Sequence, residues 1–454
     1  MRAFRPLLLA VLTWLAFAAP VVSQDAGARI SRADAREFAI TLLRNREPLA
    51  AREIAIGLLR ADVKDVAALN ILGQAELALG RVEAAEAAGR EAFRLAGDED
   101  LQRFTAAFTV AEALSRQGKL TAAQLWLRRA GEATGDERLE NAAKQVYRGV
   151  EAANPWRITG SLSLMPSSNV NNGSEEAAFG LLTSAAALPL EGWSLNTSAT
   201  VERTFRPDAS HEYTIGVSAR DRRVFLTTEA KNSPMLGLPP LENDDFSSSA
   251  ASLSFGTRFQ PADSKAIYQV RATASRDWRG GGAYLNSYNL LSARSWVQGR
   301  QRRNVSLSYT RQNRLDSDNL SANIWTVRGG LSFPVENGSI AFDAQLSDTT
   351  SSSPLVAHTS ISAGTSYGLN EPIFGLQPTL SARLTHRDYD DISPLFLERR
   401  VDTEVSLGVD FAAPGISVLG FIPTVGVTAM RNSSTVAAYQ TEQIGLSFGY
   451  RSSF

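Results

Sequence analysis

Two periodicities divide this chain. From Ala28 to Ala153, apolar and small residues recur at helical spacing in a stretch rich in Ala, Leu, Arg and Glu, with a single proline, Pro48. From Trp156 onward, apolar and polar residues alternate in short segments punctuated by Gly, Asn, Asp, Ser and Pro, which is the period-two signal of strands. At 454 residues the chain exceeds the roughly 250 to 300 residues at which single cores stop growing, so two domains are expected, meeting at Asn154.

The helical third is internally repetitive. Gly80 and Gly118, Ala85 and Ala123, and Ala92 and Ala130 are each 38 residues apart, and Ala50 stands 35 before Ala85. Small side chains at Gly73, Ala85 and Ala92 allow close helix packing, while Gly80 and Gly118 sit where one helix must turn into the next. Three helix pairs are predicted over Ser31–Leu59, Asp65–Leu95 and Leu101–Ala133, with a capping helix over Asp136–Glu151. The Leu72–Arg81 segment and these spacings resemble tetratricopeptide repeats, which implies an α-solenoid whose first helices line a groove for a peptide or protein. In that register Asn70, Gln74, Thr105, Phe108 and Glu112 are the client-binding candidates.

The remainder reads as a transmembrane antiparallel β-barrel. In the last segment Ile444, Leu446, Phe448, Tyr450, Ser452 and Phe454 share one face, and Gly445, Ser447, Gly449, Arg451 and Ser453 the other. An apolar row toward lipid alternating with a polar row toward a lumen satisfies the bilayer's demand for a fully hydrogen-bonded wall. Phe448, Tyr450 and Phe454 resemble the C-terminal signal read by the barrel-assembly machinery of bacterial outer membranes. About 15 segments can be counted, with Tyr213–Ala219 and Val224–Glu229 taken separately; closed bacterial barrels have even strand numbers, so 14 strands are expected, with 16 as the alternative. The uncharged run between Asp410 and Arg431 is too interrupted by Pro414, Gly415 and Pro423 for a membrane helix and reads as strand, turn, strand. Asn232–Asp245, Asp316–Ser321 and Asp388–Pro394 are expected as extracellular loops, their acidic pairs Asp244–Asp245 and Asp390–Asp391 as solvated tips rather than a divalent-ion site.

Composition narrows the setting. Arg2 and Arg5 before an apolar run from Leu7 to Ala19, then Val21 and Ser23, give a secretory signal over 1–23. The mature organisation is thus a periplasmic helical domain at 24–153 and an outer-membrane barrel at 154–454. With no cysteine there is no disulfide framework, thiolate metal site or lipidation site, and a formal net charge of -1 argues against nucleic acid as partner. His211, His358 and His386 show no metal-ligand spacing, no nucleophile elbow accompanies them, and Arg279–Ala283 follows a strand without opening a helix. Neither catalysis nor a cofactor is expected.

At the domain junction stand Trp156, opening the first strand, and Pro166-Ser167-Ser168-Asn169-Val170-Asn171. This stretch resembles the surface lipoprotein assembly modulators, the Slam family, whose plan is a signal peptide, periplasmic tetratricopeptide repeats and a 14-strand barrel. The resemblance implies transport of a client lipoprotein or secreted protein to the cell surface, with the repeat domain receiving client or its periplasmic chaperone. Under it, Trp156, Pro166, Ser168, Asn169 and Asn171 form a junction motif that anchors a lumenal loop or touches client. An exopolysaccharide conduit and a diffusion porin with a docking domain are the competing readings.

Overall fold

The structure, a computed structural model, describes residues 30–174, 187–232, 240–393, 397–418 and 421–452. The proposed signal segment and Phe454 lie outside the described residues.

Helices α1 (Arg32–Arg44), α2 (Pro48–Ala61), α3 (Val66–Ala78), α4 (Val82–Leu95), α5 (Asp100–Arg116), α6 (Leu120–Glu132) and α7 (Glu137–Ala153) reproduce the three pairs and the last helix read from the sequence. Ser31, Asp65 and Asp136 cap α1, α3 and α7 by accepting first-turn backbone N–H groups, and Pro48 opens α2, where its missing N–H is harmless. Gly80 and Gly118 end α3 and α5 in the left-handed region, with Arg81 N–H bonding Glu76 O and Lys119 N–H bonding Leu114 O. Arg46 takes that position after α1 at φ 62°, so the earliest pair turns the same way without its glycine.

Consecutive helices pack antiparallel, and α3 also touches α1 and α5, which stacks the pairs into a short solenoid. Its core is alanine-rich because the helices approach closely. A Cβ at Gly89 would sit 2.8 Å from Val110 Cγ2 and 3.2 Å from Ala106 O, and one at Gly73 3.1 Å from Thr109 Cγ2. Larger side chains gather toward the end of the stack, where Phe104, Leu114, Trp126, Leu127 and Tyr147 are buried together.

The second part is a closed barrel of antiparallel strands: β1 (Trp156–Ser167), β2 (Gly192–Phe205), β3 (His211–Leu226), β4 (Ser248–Phe259), β5 (Ile267–Arg279), β6 (Gly282–Gln298), β7 (Gln301–Arg314), β8 (Ala322–Val335), β9 (Gly338–Ser351), β10 (His358–Leu369), β11 (Gln377–Ser393), β12 (Glu398–Ala412), β13 (Phe421–Ser434) and β14 (Thr441–Ser452). Each strand pairs with its sequence neighbours, and β1 meets β14 to close the wall. Fourteen strands decide against 16. The surplus segment was Val224–Glu229. Tyr213–Ala219 and Val224–Leu226 belong to one strand, β3, which runs unbroken through Arg220-Asp221-Arg222-Arg223, and Thr228–Lys231 forms the short helix α8. Asp388–Ser393 is likewise strand rather than loop, β11 continuing past a register irregularity between Asp388 and Ile392. The strand, Pro-Gly turn, strand reading of Asp410–Arg431 matches β12 and β13.

Apolar side chains point outward. Ile158, Ile215, Val217, Leu253, Leu290, Trp325, Leu346, Ile361 and Leu407 are exposed on the outer wall, as are Ile444, Leu446, Phe448 and Tyr450 of the last strand. No described helix is long and apolar enough to cross a membrane; here the strands do so, as in outer-membrane barrels. Outward aromatics ring the end nearest the helices: Arg203 lies over Trp156 and Phe205, and Arg294 over Tyr268 and Trp296.

The closure is uneven. Every residue from Trp156 to Ser167 pairs with β2, whereas β1 and β14 register only at Leu164↔Phe448 and Ser167↔Gly445.

Candidate functional site

Two regions gather polar chemistry: the barrel end beside the helices, here the near end, and the lumenal wall. At the near end the chain passes from α7 to β1 through a stiff junction. Asn154 is buried; its Nδ2 donates to Thr121 Oγ1 at 3.1 Å and Gln124 Oε1 at 2.8 Å, and its Oδ1 accepts from Trp156 N–H. Thr204 N–H bonds Pro155 O, so β2 reaches the residue before the first strand. Trp156 therefore leaves the helical stack already held in the sheet.

Beside this junction opens a cavity of about 600 Å³. Thr121, Gln124 and Arg128 of α6 and Tyr147 and Glu151 of α7 form one side; Arg157, Glu202, Glu212, Arg258 and Arg271 of the barrel form the other. Arg128 also lies over the Phe421 ring at the start of β13, with the centroid 4.8 Å away. The cavity is thus a vestibule shared by both parts of the chain.

The lumenal wall carries hydroxyls, amides and ion pairs. Because neighbouring strands are in register, Ser161 meets Ser198, Ser218 meets Ser252, and Ser362 meets Thr385, each within 3.0 Å across a strand pair. Arg271 on β5 reaches Glu202 on β2 at 2.8 Å, a pair that can form only across the inside of the curved wall. Aromatics on strands face outward by register, apart from Tyr284 and Tyr389 near the far end, so no aromatic row lines the described lumen.

The junction residues divide: Trp156 opens β1 at the near end, while Pro166, Ser168, Asn169 and Asn171 lie at its other end and in the loop that follows. Asn169, almost fully buried, donates from Nδ2 to Gly173 O and Glu442 O and accepts Gly173 N–H on Oδ1. Asn171 ties Leu188 O and Leu190 N–H, Ser168 Oγ accepts Ile444 N–H, and Pro166 lies within β1. The loop is seated on an apolar cluster of Val170, Leu190, Val224, Leu226, Ala230 and Phe246, and Arg222 on β3 holds Val170 O at 2.7 Å. The Asx turns were legible in the sequence; the partner Glu442, on the last strand, was not.

The helical candidates separate. Gln74 is exposed on α3, while Glu112 ion-pairs with Arg116 on α5. Thr105 bonds back to Leu101 O, and Phe108 stacks on Phe104 at 5.5 Å. Asn70 is buried rather than displayed: its Nδ2 bonds Gln102 O and Oε1, linking α3 to α5, and its Oδ1 has no partner among the described residues. The structure therefore does not bring all five onto one open surface.

The histidines lie apart. His211 Nδ1 faces Asp208 at 3.0 Å in the turn before β3, His358 meets Val356 O, and His386 meets Thr403 Oγ1 while Asp388 pairs with Arg399. In that turn Asp208 is held well below the usual carboxylate range, first by the Ser210 hydroxyl, then by Ser210 N–H and His211. Asp245 accepts Glu242 N–H within its own loop, and Asp244 faces Arg223 at 3.9 Å. Among the described residues no group of three or more such side chains is placed to hold a metal ion.

No family model matches the chain, and no curated protein matches it. Among solved structures, the helical part is similar to the type III secretion translocator chaperone SycD of Yersinia enterocolitica, covering 28% of this chain and 88% of that one at 18% identity and a TM-score of 0.25. The barrel is similar to the outer membrane channel DcaP of Acinetobacter baumannii, over 65% of this chain and 96% of that one at 9% identity, TM-score 0.37. OccAB3 of the same organism matches 64% of this chain and 98% of its own at 8% identity, TM-score 0.39. The assignment of the fold rests on the chain's own strand pairing, a closed antiparallel barrel preceded by stacked helices.

Proposed function

We propose that the protein is an outer-membrane translocon that carries a client lipoprotein or secreted protein from the periplasm to the cell surface, the near end of the barrel facing the periplasm. One observation carries the reading: the helical repeats and the lumenal wall line a single vestibule, so a segment held by α6 and α7 is delivered at the barrel mouth. The junction residues Trp156 and Pro166 to Asn171, which resemble the Slam family, support the same reading. A polysaccharide conduit is disfavoured by the absence of an aromatic row along the lumen among the described residues.

The test is deletion of the gene followed by protease shaving and mass spectrometry of surface and secreted proteins. The expected result is one protein lost from the surface and retained in the periplasm. A chain lacking residues 24–153 should insert as a barrel and fail to restore export. An unchanged protein surface in the deletion strain defeats the translocon reading and leaves a diffusion channel.

A further inference from the structure

The strands of the barrel contain no lysine; every strand cation is arginine. By register Arg157, Arg220, Arg258, Arg271, Arg302 and Arg383 point into the lumen, opposite in parity to the exposed apolar positions. Carboxylates share that face, and the formal net charge of the chain is -1, so composition gives no hint of polarity. What decides it is depth. In the Arg271–Glu202 pair the side-chain exposures are 29% and 16%, in Arg258–Glu212 47% and 26%, and in Arg328–Asp343 48% and 24%. Arg383–Asp343, Arg387–Glu404 and Arg400–Asp402 follow the same order, the carboxylate always the more buried partner.

The cause is side-chain length. Asp and Glu stop near the wall, while the longer arginine reaches over them and turns its guanidinium to the water. Paired sites therefore still present N–H donors to the lumen. Among the described residues Arg157, Arg220 and Arg302 add positive charge with no side-chain partner, and the Arg279 side chain meets the Tyr284 ring at 5.9 Å and no carboxylate. Asp277, which accepts from the Ser275 hydroxyl, and Asp410 are opposing carboxylates without an ion-pair partner among the described residues. Arg220 and Arg222 further line a cavity of about 420 Å³ with Ser161, Asn196 and Ser198, where the carboxylates Asp221 and Asp277 also stand.

We infer that the lumen is an anion path, selective for small anions over cations and able to hold carboxylate or phosphate groups on its guanidinium surface. Rings of arginine confer anion preference on pores, and a water-filled cleft lined by one sign concentrates its counter-ion. The planar fork of guanidinium also matches an oxyanion better than a point charge does. This goes beyond the transport of a client and does not depend on it.

The test uses the purified full-length protein in planar lipid bilayers under a potassium chloride gradient. The zero-current potential should report chloride permeating several-fold more readily than potassium, and inorganic phosphate should reduce the chloride current. Replacing Arg157, Arg220, Arg279 and Arg302 together by Gln should bring the chloride-to-potassium ratio to about unity, checked in a barrel that keeps its heat-modifiable gel mobility. The matching four Arg→Lys replacements should keep the selectivity and lose most of the phosphate effect. If the Gln protein does not fold, Arg220→Gln alone should lower the ratio. Cation preference in the native protein, absence of conductance, or a ratio unmoved by the Gln variants overturns the inference. Loss of export in the gene deletion says nothing of this selectivity, so the two readings fail separately.

Discussion

A disulfide across the β1–β14 closure tests how that closure is built. The register Leu164↔Phe448 places Ser163 opposite Gly449, and a Cβ on Gly449 would lie 3.8 Å from Ser163 Cβ. Disulfides require about 3.5–4.5 Å between Cβ atoms, so Ser163→Cys with Gly449→Cys should cross-link without backbone movement. The chain has no cysteine of its own to compete. The bond closes nearly the whole barrel sequence into one loop, which on chain-entropy grounds adds about 5–6 kcal/mol against unfolding, an upper value. Non-reducing electrophoresis of the folded protein should show the cross-linked form, and urea unfolding in detergent should shift to higher denaturant, with reductant restoring the original midpoint. Failure of the folded barrel to oxidise, or oxidation that leaves the midpoint in place, refutes the register and the reasoning. Export by the oxidised protein then distinguishes a route through the lumen, which the lock leaves open, from one through the wall, which it arrests.

Three further outcomes follow from the helices and turns. Gly89→Val should destabilise the helical part by about 1–3 kcal/mol, since its first carbon already collides with Val110 and the α5 backbone, and limited proteolysis of residues 30–153 should accelerate. Asp65→Ala removes both the cap of α3 and the partner of Arg36, 2.7 Å away; because Arg36 is left partly exposed to water, a loss of about 1–2 kcal/mol, chiefly the cap, should lower the first thermal transition. Asp208 has a folded pKa below its unfolded value near 4, so its contribution is present above about pH 4 and disappears as pH falls through the lower folded value. Asp208→Asn should flatten that acid limb of stability, and identical acid unfolding curves for the two proteins would contradict the assignment.

The helical part was legible because its determinants are local. As caps, helix starts and turns, Ser31, Asp65, Pro48, Gly80 and Gly118 each act within a turn of their own position, although Asp65 also reaches back to Arg36. Strand alternation was legible too, but counting failed at Arg220–Arg223, where a run of charge resembles a loop. Inside a barrel such a run is compatible with strand, because Arg220 and Arg222 meet the lumen while Asp221 and Arg223 pair on the other face. The candidate site was less visible for the same reason in reverse: Asn169 with Glu442, Arg271 with Glu202 and Asn154 with Gln124 join residues that only the fold brings together. Asn70 was misplaced because helical spacing gives a face and not the neighbour covering it; α5 covers it.

Lateral pressure in a bilayer squeezes a barrel evenly around its girth, and strain collects where the rungs of the ladder are fewest. That line lies between β1 and β14. Its β1 side begins at Trp156, two residues from Asn154, which is bolted to α6. The helical stack is therefore joined, through a short stiff link, to one of the two strands that border that line.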